Sequence, residues 1–438
     1  METTRLFYDS SNFVDLPSTI PSERIVRIEP RPVHASSSTN QLLQGALANP
    51  IKSHHLEDDH ITNAAIIFSD ETRLPSPYLN TLVRILTDLA RDVKLIVACG
   101  THMLPSEHYL TKAISDELLQ SCRVVFSSTK DESCKFRSIG ETSRGTPVEI
   151  NEEILDRDFV LSSLCVRPHY FAGFEGGAKA ILPGCSSLRT ISSNHSYVIG
   201  NPNARELIVN GNPVREDINE IPKMIEKCGV RYRVADFVPD SKDHPFKIGY
   251  GDPLETHGIM ANLASDLYAI KAPATTLSIT VADGSLGRTL YQAMKAFSLT
   301  SNVMKPSHDS RSTVVLVASL RDGVGSATWA NELVHYASIP NKMIIQDLKA
   351  RAKRGEFNET LQKVNRLAID RDNMDLRVVS PEAPKEVERL LNAAKIFFAR
   401  RLDEALEDFE KSGENIVVVP KGSSTVPIRT DLQESTKP

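Results

Sequence analysis

Ala64-Ala-Ile-Ile-Phe68 is followed by Leu79, Leu82, Val83, Leu86 and Leu89, and then by Lys94-Leu-Ile-Val-Ala-Cys99. The first run is short, apolar and bounded by polar residues, which predicts a buried strand. The leucines fall at helical spacing and begin just after Pro77, a residue that suits the start of a helix and not its interior. The third run is again strand-like. A second helix is predicted from near Ser106, with Leu110, Ala113, Ile114 and Leu118 on one face. This rhythm predicts an α/β fold with a mostly parallel sheet covered by helices. In such sheets, function gathers in the loops that leave the C-terminal ends of the strands.

The rhythm returns after Ala272-Pro-Ala-Thr-Thr276. Strands are predicted over 277–281, 313–318 and 342–346, with a helix containing Trp329 and Leu333 between the last two. A long amphipathic helix is expected from about 385 to 411, stopped by Ser412-Gly413, and then a final strand over 415–420. With 438 residues the chain exceeds one ordinary core. The expected division is 1–271, 275–412 and a tail, 413–438, free to pack back on the N-terminal domain. From about 29 to 59 the chain is rich in Pro, Ser, His and Asn, an irregular wrap with one short helix near 41–47.

Bulk properties exclude several classes. A net charge of -5 leaves no basic footprint for nucleic acid. No run approaches the roughly 18 apolar residues of a membrane span, and Met1-Glu-Thr-Thr-Arg-Leu-Phe-Tyr8 lacks the pattern of a signal peptide. The six cysteines are scattered without a C-x-x-C pair, so reduced thiols and a cytoplasmic location are expected.

The densest chemistry lies in Arg167-Pro-His-Tyr-Phe-Ala-Gly-Phe-Glu-Gly-Gly-Ala-Lys179, running on to Asn194-His195. Gly173, Gly176 and Gly177 allow sharp backbone turns and a close approach to phosphate or a flat cofactor. Lys179 could neutralise phosphate or attack a carbonyl. A phosphate-binding Walker loop is ruled out, because Ala178 separates Gly177 from Lys179. The plain alternative is a glycine-rich turn with solvated neighbours. Three further clusters fall where strands should end: Asp70-Glu-Thr-Arg73, Gly100-Thr-His102 and Tyr291-Gln-Ala-Met-Lys295. Taken singly, Asp70 reads as a helix cap and Arg73 and Lys295 as surface charges. Gln292 and Lys295 would share a face if helical. His54, His55 and His60 beside Glu57, Asp58 and Asp59 lack metal-ligand spacing and read as an exposed loop.

The run from His169 to His195 resembles the signature of the nickel-dependent lactate racemase family. The matching residues are His169, Tyr170-Phe-Ala-Gly-Phe174, Gly176-Gly177, Lys179, Leu182-Pro-Gly184 and Asn194-His195. The Asp70, Gly100 and Tyr291 clusters and Arg321-Asp-Gly323 resemble further motifs of that family. Glu175 and Ala178 depart from it, standing where its best-known members carry Ser and Arg. So does Met103-Leu-Pro105 after His102, where Arg-Pro is commoner.

The resemblance implies two α/β domains with the active site in the cleft between them, and a small 2-hydroxy acid as substrate. It implies a nickel-pincer nucleotide tethered at Lys179 through a thioamide, with nickel bound by His195 and the nucleotide lined by Gly173, Gly176 and Gly177. It casts His102 and His169 as acid/base residues and Asp70 and Arg73 as holding the cofactor and its surroundings. Tyr291, Gln292 and Lys295 would bind the substrate, and enzymes of pincer-nucleotide synthesis would be the maturation partners. The same chemistry on a larger acid (malate, an aryl-lactate or a sugar acid) is an alternative. A zinc hydrolase using His102, His169 and His195 and a non-catalytic cofactor-binding protein are two others.

Overall fold

The computed structural model describes residues 4–305, 311–372, 374–409 and 415–431. The chain divides into two units, Pro32–Asp266 on the one hand and Met1–Arg31 with Leu267–Pro438 on the other.

The first unit is built on six strands: β1 (Asn63–Ser69), β2 (Asp92–Gly100), β3 (Arg123–Ser128), β4 (Phe159–Ser163), β5 (Arg231–Pro239) and β6 (Pro245–Gly251). Their order is β6-β5-β4-β1-β2-β3, and only β6 is antiparallel to its neighbour. Ala64 to Phe68 is almost wholly buried, as expected of a central strand covered on both faces. Helix Leu79–Leu89 presents Leu79, Leu82, Val83 and Leu86 to that core. The single helix predicted after Ser106 is two, Glu107–Ala113 and Asp116–Ser121, because Ile114 is extended between them. From β1 the chain moves outward to β2 and β3, then crosses back to β4 on the other side. Loops leaving β1 and β4 therefore diverge and open a crevice at the C-terminal edge, the usual ligand position in such sheets.

The second unit holds a wholly parallel sheet. Its strands are β7 (Leu277–Val281), β8 (Ser312–Val317), β9 (Met374–Val379), β10 (Phe397–Ala399) and β11 (Ile416–Val419), with Ile25–Arg27 at one edge. The order is β10-β9-β8-β7-β11, then Ile25–Arg27. The tail strand β11 is thus an interior strand of this sheet instead of an addition to the N-terminal domain. Residues 1–31, assigned from the sequence to the N-terminal domain, contribute Leu6, Tyr8, Val14, Leu16 and Ile20 to the core under β7, β8 and β11.

Two further expectations fail here. Lys342-Met-Ile-Ile-Gln346 is helical, within Asn341–Lys353. Its buried pair Ile344 and Leu348 is spaced four apart, and Lys, Ala and Arg continue the helix beyond it. The long helix over 385–411 is broken. Lys385–Ala393 ends just before Lys395, which takes a positive φ of 56°, and Phe397–Ala399 then pairs with β9. Ser412, Gly413 and His308 lie outside the described residues. Among the described residues no helix is long and apolar enough to cross a membrane.

Candidate active site

β1 hands directly to Asp70, and its neighbour β2 reaches His102 two residues past Gly100. Paired strands (Ser69 opposite Ala98) start both loops side by side. Asp70 Oδ2 lies 2.6 Å from His102 Nδ1. Asp70 Oδ1 accepts from the Thr72 backbone N–H at 2.8 Å and its hydroxyl at 2.5 Å. A carboxylate can only accept, so Nδ1 carries the proton and the neutral His102 ring has its lone pair on Nε2. Burial pushes the Asp70 carboxyl up, but the His102 ring and then Arg73 outweigh it and hold the group below its ordinary range. Asp70, to which the resemblance gave a cofactor role, is also the anchor of the His102 ring. Arg73 Nη1 donates to Thr72 Oγ1 at 3.0 Å. Its Nε lies 3.6 Å from Glu175 Oε1, which joins the β1 loop to the glycine segment.

Gly100 has φ of 56° and donates its N–H to Gly184 O at 3.0 Å. A Cβ there would sit 3.0 Å from Pro183 O. Glycine thus permits both the left-handed turn and the close approach that ties β2 to the Lys179 segment.

After β4, Pro168–His169 pairs with Gly173–Phe174 as a minimal hairpin. His169 is stacked on Tyr170 at 4.9 Å and meets Phe171 edge-on at 4.5 Å. Phe171 meets His195 edge-on at 4.9 Å, and Lys179 Nζ lies 5.7 Å from the same ring's centre. One phenyl ring therefore gathers both histidines and the lysine. Phe171 had no assigned role in the sequence; its sole signal was its place between His169 and Lys179. His169 Nδ1 accepts from the Ala172 N–H at 3.3 Å, which leaves the proton of the neutral ring on Nε2.

His195 lies in helix Leu188–Ser196. Asn194 Nδ2 donates to Val214 O at 3.1 Å and to Asp217 Oδ2 at 2.8 Å. Those two bonds orient the amide so that its oxygen faces His195 Nδ1 at 3.1 Å. The His195 proton is consequently on Nδ1 and the lone pair on Nε2, the form of imidazole that binds a metal. Burial, then the charge of Lys179, pushes its pKa down to about 3, so the ring stays neutral. Among the described residues no three His, Cys, Asp or Glu side chains gather to hold an ion. His102, His169 and His195 do not make a zinc site.

Beneath the loop lies a polar layer the sequence did not reveal. Arg215, fully buried, donates to the carbonyls of Ala172 (3.0 Å), Phe174 and Gly176 (3.4 Å). Asp236, on β5, accepts from the N–H groups of Gly177 at 2.6 Å and Leu164 at 2.9 Å. Burial lifts Asp236 to about 7 against those bonds and against Arg215. His257 donates to Glu175 O at 3.1 Å. A Cβ on Gly173 would strike the Ile208 carbonyl, one on Gly176 would strike Val166 and Asp236, and one on Gly177 would strike His257. The three glycines are thus required by internal packing, whatever else they line.

Tyr291, Gln292 and Lys295 belong to the other unit, on helix Leu290–Thr300. Lys295, expected singly to be a surface charge, is buried.

Residues 13–206 match the family model described as the lactate racemase N-terminal domain. A lactate racemase from Lactiplantibacillus plantarum is 26% identical over 408 residues, covering 90% of this chain and 92% of the relative. Another, from Thermoanaerobacterium thermosaccharolyticum, is 27% identical over 341 residues, covering 74% and 78%. Over most of its length, then, this chain is similar to lactate racemases. The fold agrees with that likeness. The apoprotein structure of the T. thermosaccharolyticum racemase superposes with a TM-score of 0.81 at 24% identity, over 97% of this chain and all of that one. A Thermotoga maritima protein of known structure gives 0.68 at 16% identity, over 89% and 98%.

Proposed function

We propose that this chain inverts the hydroxyl-bearing carbon of lactate or a related 2-hydroxy acid. The observation that carries the reading is the opposite protonation of two imidazoles beside one switch point: His102 with its lone pair on Nε2 and His169 with its proton there.

Removing the C–H hydrogen as a proton beside a carboxylate would build a dianion. Removing it with its electron pair avoids that charge, provided a base takes the hydroxyl proton. His102 Nε2 is suited to take that proton, and Asp70 stabilises the imidazolium that forms. His169 Nε2 is suited to return a proton when the flat keto acid is reduced on its other face. Lys295 would hold the carboxylate, with Tyr291 and Gln292 orienting the rest.

The residues present fit the nickel-pincer nucleotide. His195 offers a neutral, buried Nε2, and Lys179 stands beside it as the tether. Arg73 and the loop of Gly173, Gly176 and Gly177 would hold the nucleotide. When bound, that group supplies the acceptor for the hydrogen and its electron pair.

Co-expression with pincer-synthesis enzymes, followed by intact mass and metal analysis, tests the proposal. An adduct absent from Lys179→Ala, about one nickel per chain, and inversion abolished in His102→Ala and His169→Ala are expected. Stoichiometric entry of solvent deuterium at the inverted carbon would instead establish proton abstraction.

A further inference from the structure

At the N-terminal edge of the second unit's sheet, parallel pairing sets three cations side by side. Arg311 stands one residue before β8, Arg371 three before β9 and Lys395 two before β10, and these strands are neighbours. All three residues line one cavity of about 390 Å³. Its apolar wall is Leu333, Ile344, Val364 and Leu367, from helices Ala327–His335, Asn341–Lys353 and Leu361–Asp370.

The cations differ in what they already hold. Arg311 Nε donates to Asp375 Oδ1 at 2.7 Å, and its other nitrogens donate to the carbonyls of Arg371 (2.6 Å), Met374 (2.8 Å) and Asp372 (3.3 Å). Arg371 is half-buried, and Lys395 is exposed. Neither the Arg371 guanidinium nor the Lys395 ammonium has a hydrogen bond or ion pair among the described residues. Burial lowers the pKa of Arg371; Asp375 opposes that shift and Arg311 adds to it. Both nearby carboxylates are engaged, Asp375 by Arg311 and Asp372 by Asn341 Nδ2 at 3.3 Å. Burying a charge is costly unless it is paired and hydrogen-bonded. Pro340 and Asn341 bring the start of helix Asn341–Lys353 to the same cavity, and no side chain caps that helix. Its first N–H groups, at the positive end of the dipole, are therefore available as donors.

We propose that this cavity binds an organic phosphate monoester. The phosphate rests on Arg371, Lys395 and the first turn of Asn341–Lys353, and the organic body lies against the apolar wall. A guanidinium fork, an ammonium and helix N–H groups together offer more donors than the two oxygens of a carboxylate use, and suit a dianion with three oxygens. The site stands independently of the racemase reading. The chain leaves β7 for the helix carrying Tyr291 at the opposite edge of the sheet, roughly 20 Å away along strands of this length.

Phenyl phosphate, inorganic phosphate and benzoate are titrated calorimetrically into the full chain. Phenyl phosphate is expected to bind at least about tenfold more tightly than inorganic phosphate, which lacks the body, or benzoate, which lacks the third oxygen. Arg371→Met should weaken phenyl phosphate by about tenfold or more, with Arg371→Lys restoring part of the loss. Lys395 has φ of 56°, so Lys395→Asn removes the charge while suiting the left-handed backbone, and should weaken binding in the same direction. Lys179 and its glycine loop offer phosphate another place, so Lys179→Ala is the control, expected to change the affinity by less than about twofold. Binding lost in Lys179→Ala but kept in Arg371→Met would overturn the site. So would equal affinity for the three probes, or phenyl phosphate binding insensitive to both Arg371 and Lys395.

Discussion

Single hydrogen bonds decide which nitrogen of each imidazole is available. Asp70 holds His102 through Nδ1, so Asp70→Asn should permit the wrong tautomer while preserving shape. A fall in kcat of about 10²- to 10⁴-fold is expected, measured as inversion rate by the loaded enzyme. Unchanged kcat would show that His102 is not the base. Asn194 plays the corresponding part for His195. Asn194→Leu should weaken nickel retention by about 10- to 100-fold, read as metal per tethered adduct during dialysis against a chelator. His102, His169, Lys179 and His195 could be singled out as candidates from the sequence because each stands in a motif of distinctive order. Phe171 could not, since an aromatic residue between Tyr170 and Ala172 reads equally well as core.

Elements set the angle from which those residues are offered. The 172–177 segment is held from below by Arg215 and Asp236, which come from helix Pro213–Asn219 and β5. Arg215→Met should cost about 3 to 5 kcal/mol of stability, because it strands three carbonyls and leaves Asp236 without its cation. Urea midpoints check this. The fold raises Asp236 to about 7, so between about pH 4 and 7 the native chain keeps a proton that the unfolded chain has released. Its contribution is whole below pH 4 and is lost as pH rises through 7. The stability of the wild type relative to Asp236→Asn should therefore fall across that window; a rise would mean that Asp236 is ionised against Arg215 throughout. Local pattern read β1, β2, β7 and β8 correctly because buried parallel strands leave long apolar runs. It failed at 342–346 and 397–399, where a few apolar residues fit either period and sheet pairing alone decided.

At the scale of the whole molecule, the first 31 residues are the least expected feature. Leu6, Tyr8, Val14, Leu16 and Ile20 are each nearly fully buried in the second unit's core. At about 1.5 to 3 kcal/mol per side chain, they contribute roughly 7 to 15 kcal/mol, as much as the net stability of a typical domain. Deletion of residues 1–31 should leave that unit unfolded, seen as loss of a thermal transition and protection from proteolysis confined to 32–266. Two intact transitions would refute the assignment.

By itself the sequence determined the α/β class and the switch-edge motifs that carry the likeness to lactate racemases, because periodicity and ordered motifs are local along the chain. Tertiary structure alone decided that β11 and Ile25–Arg27 complete the second sheet, that Arg215 and Asp236 underlie the glycine loop, and that Arg311, Arg371 and Lys395 line one cavity. Each of those facts joins residues far apart in sequence. Burial and pairing across such distances leave no periodic trace for one chain to display.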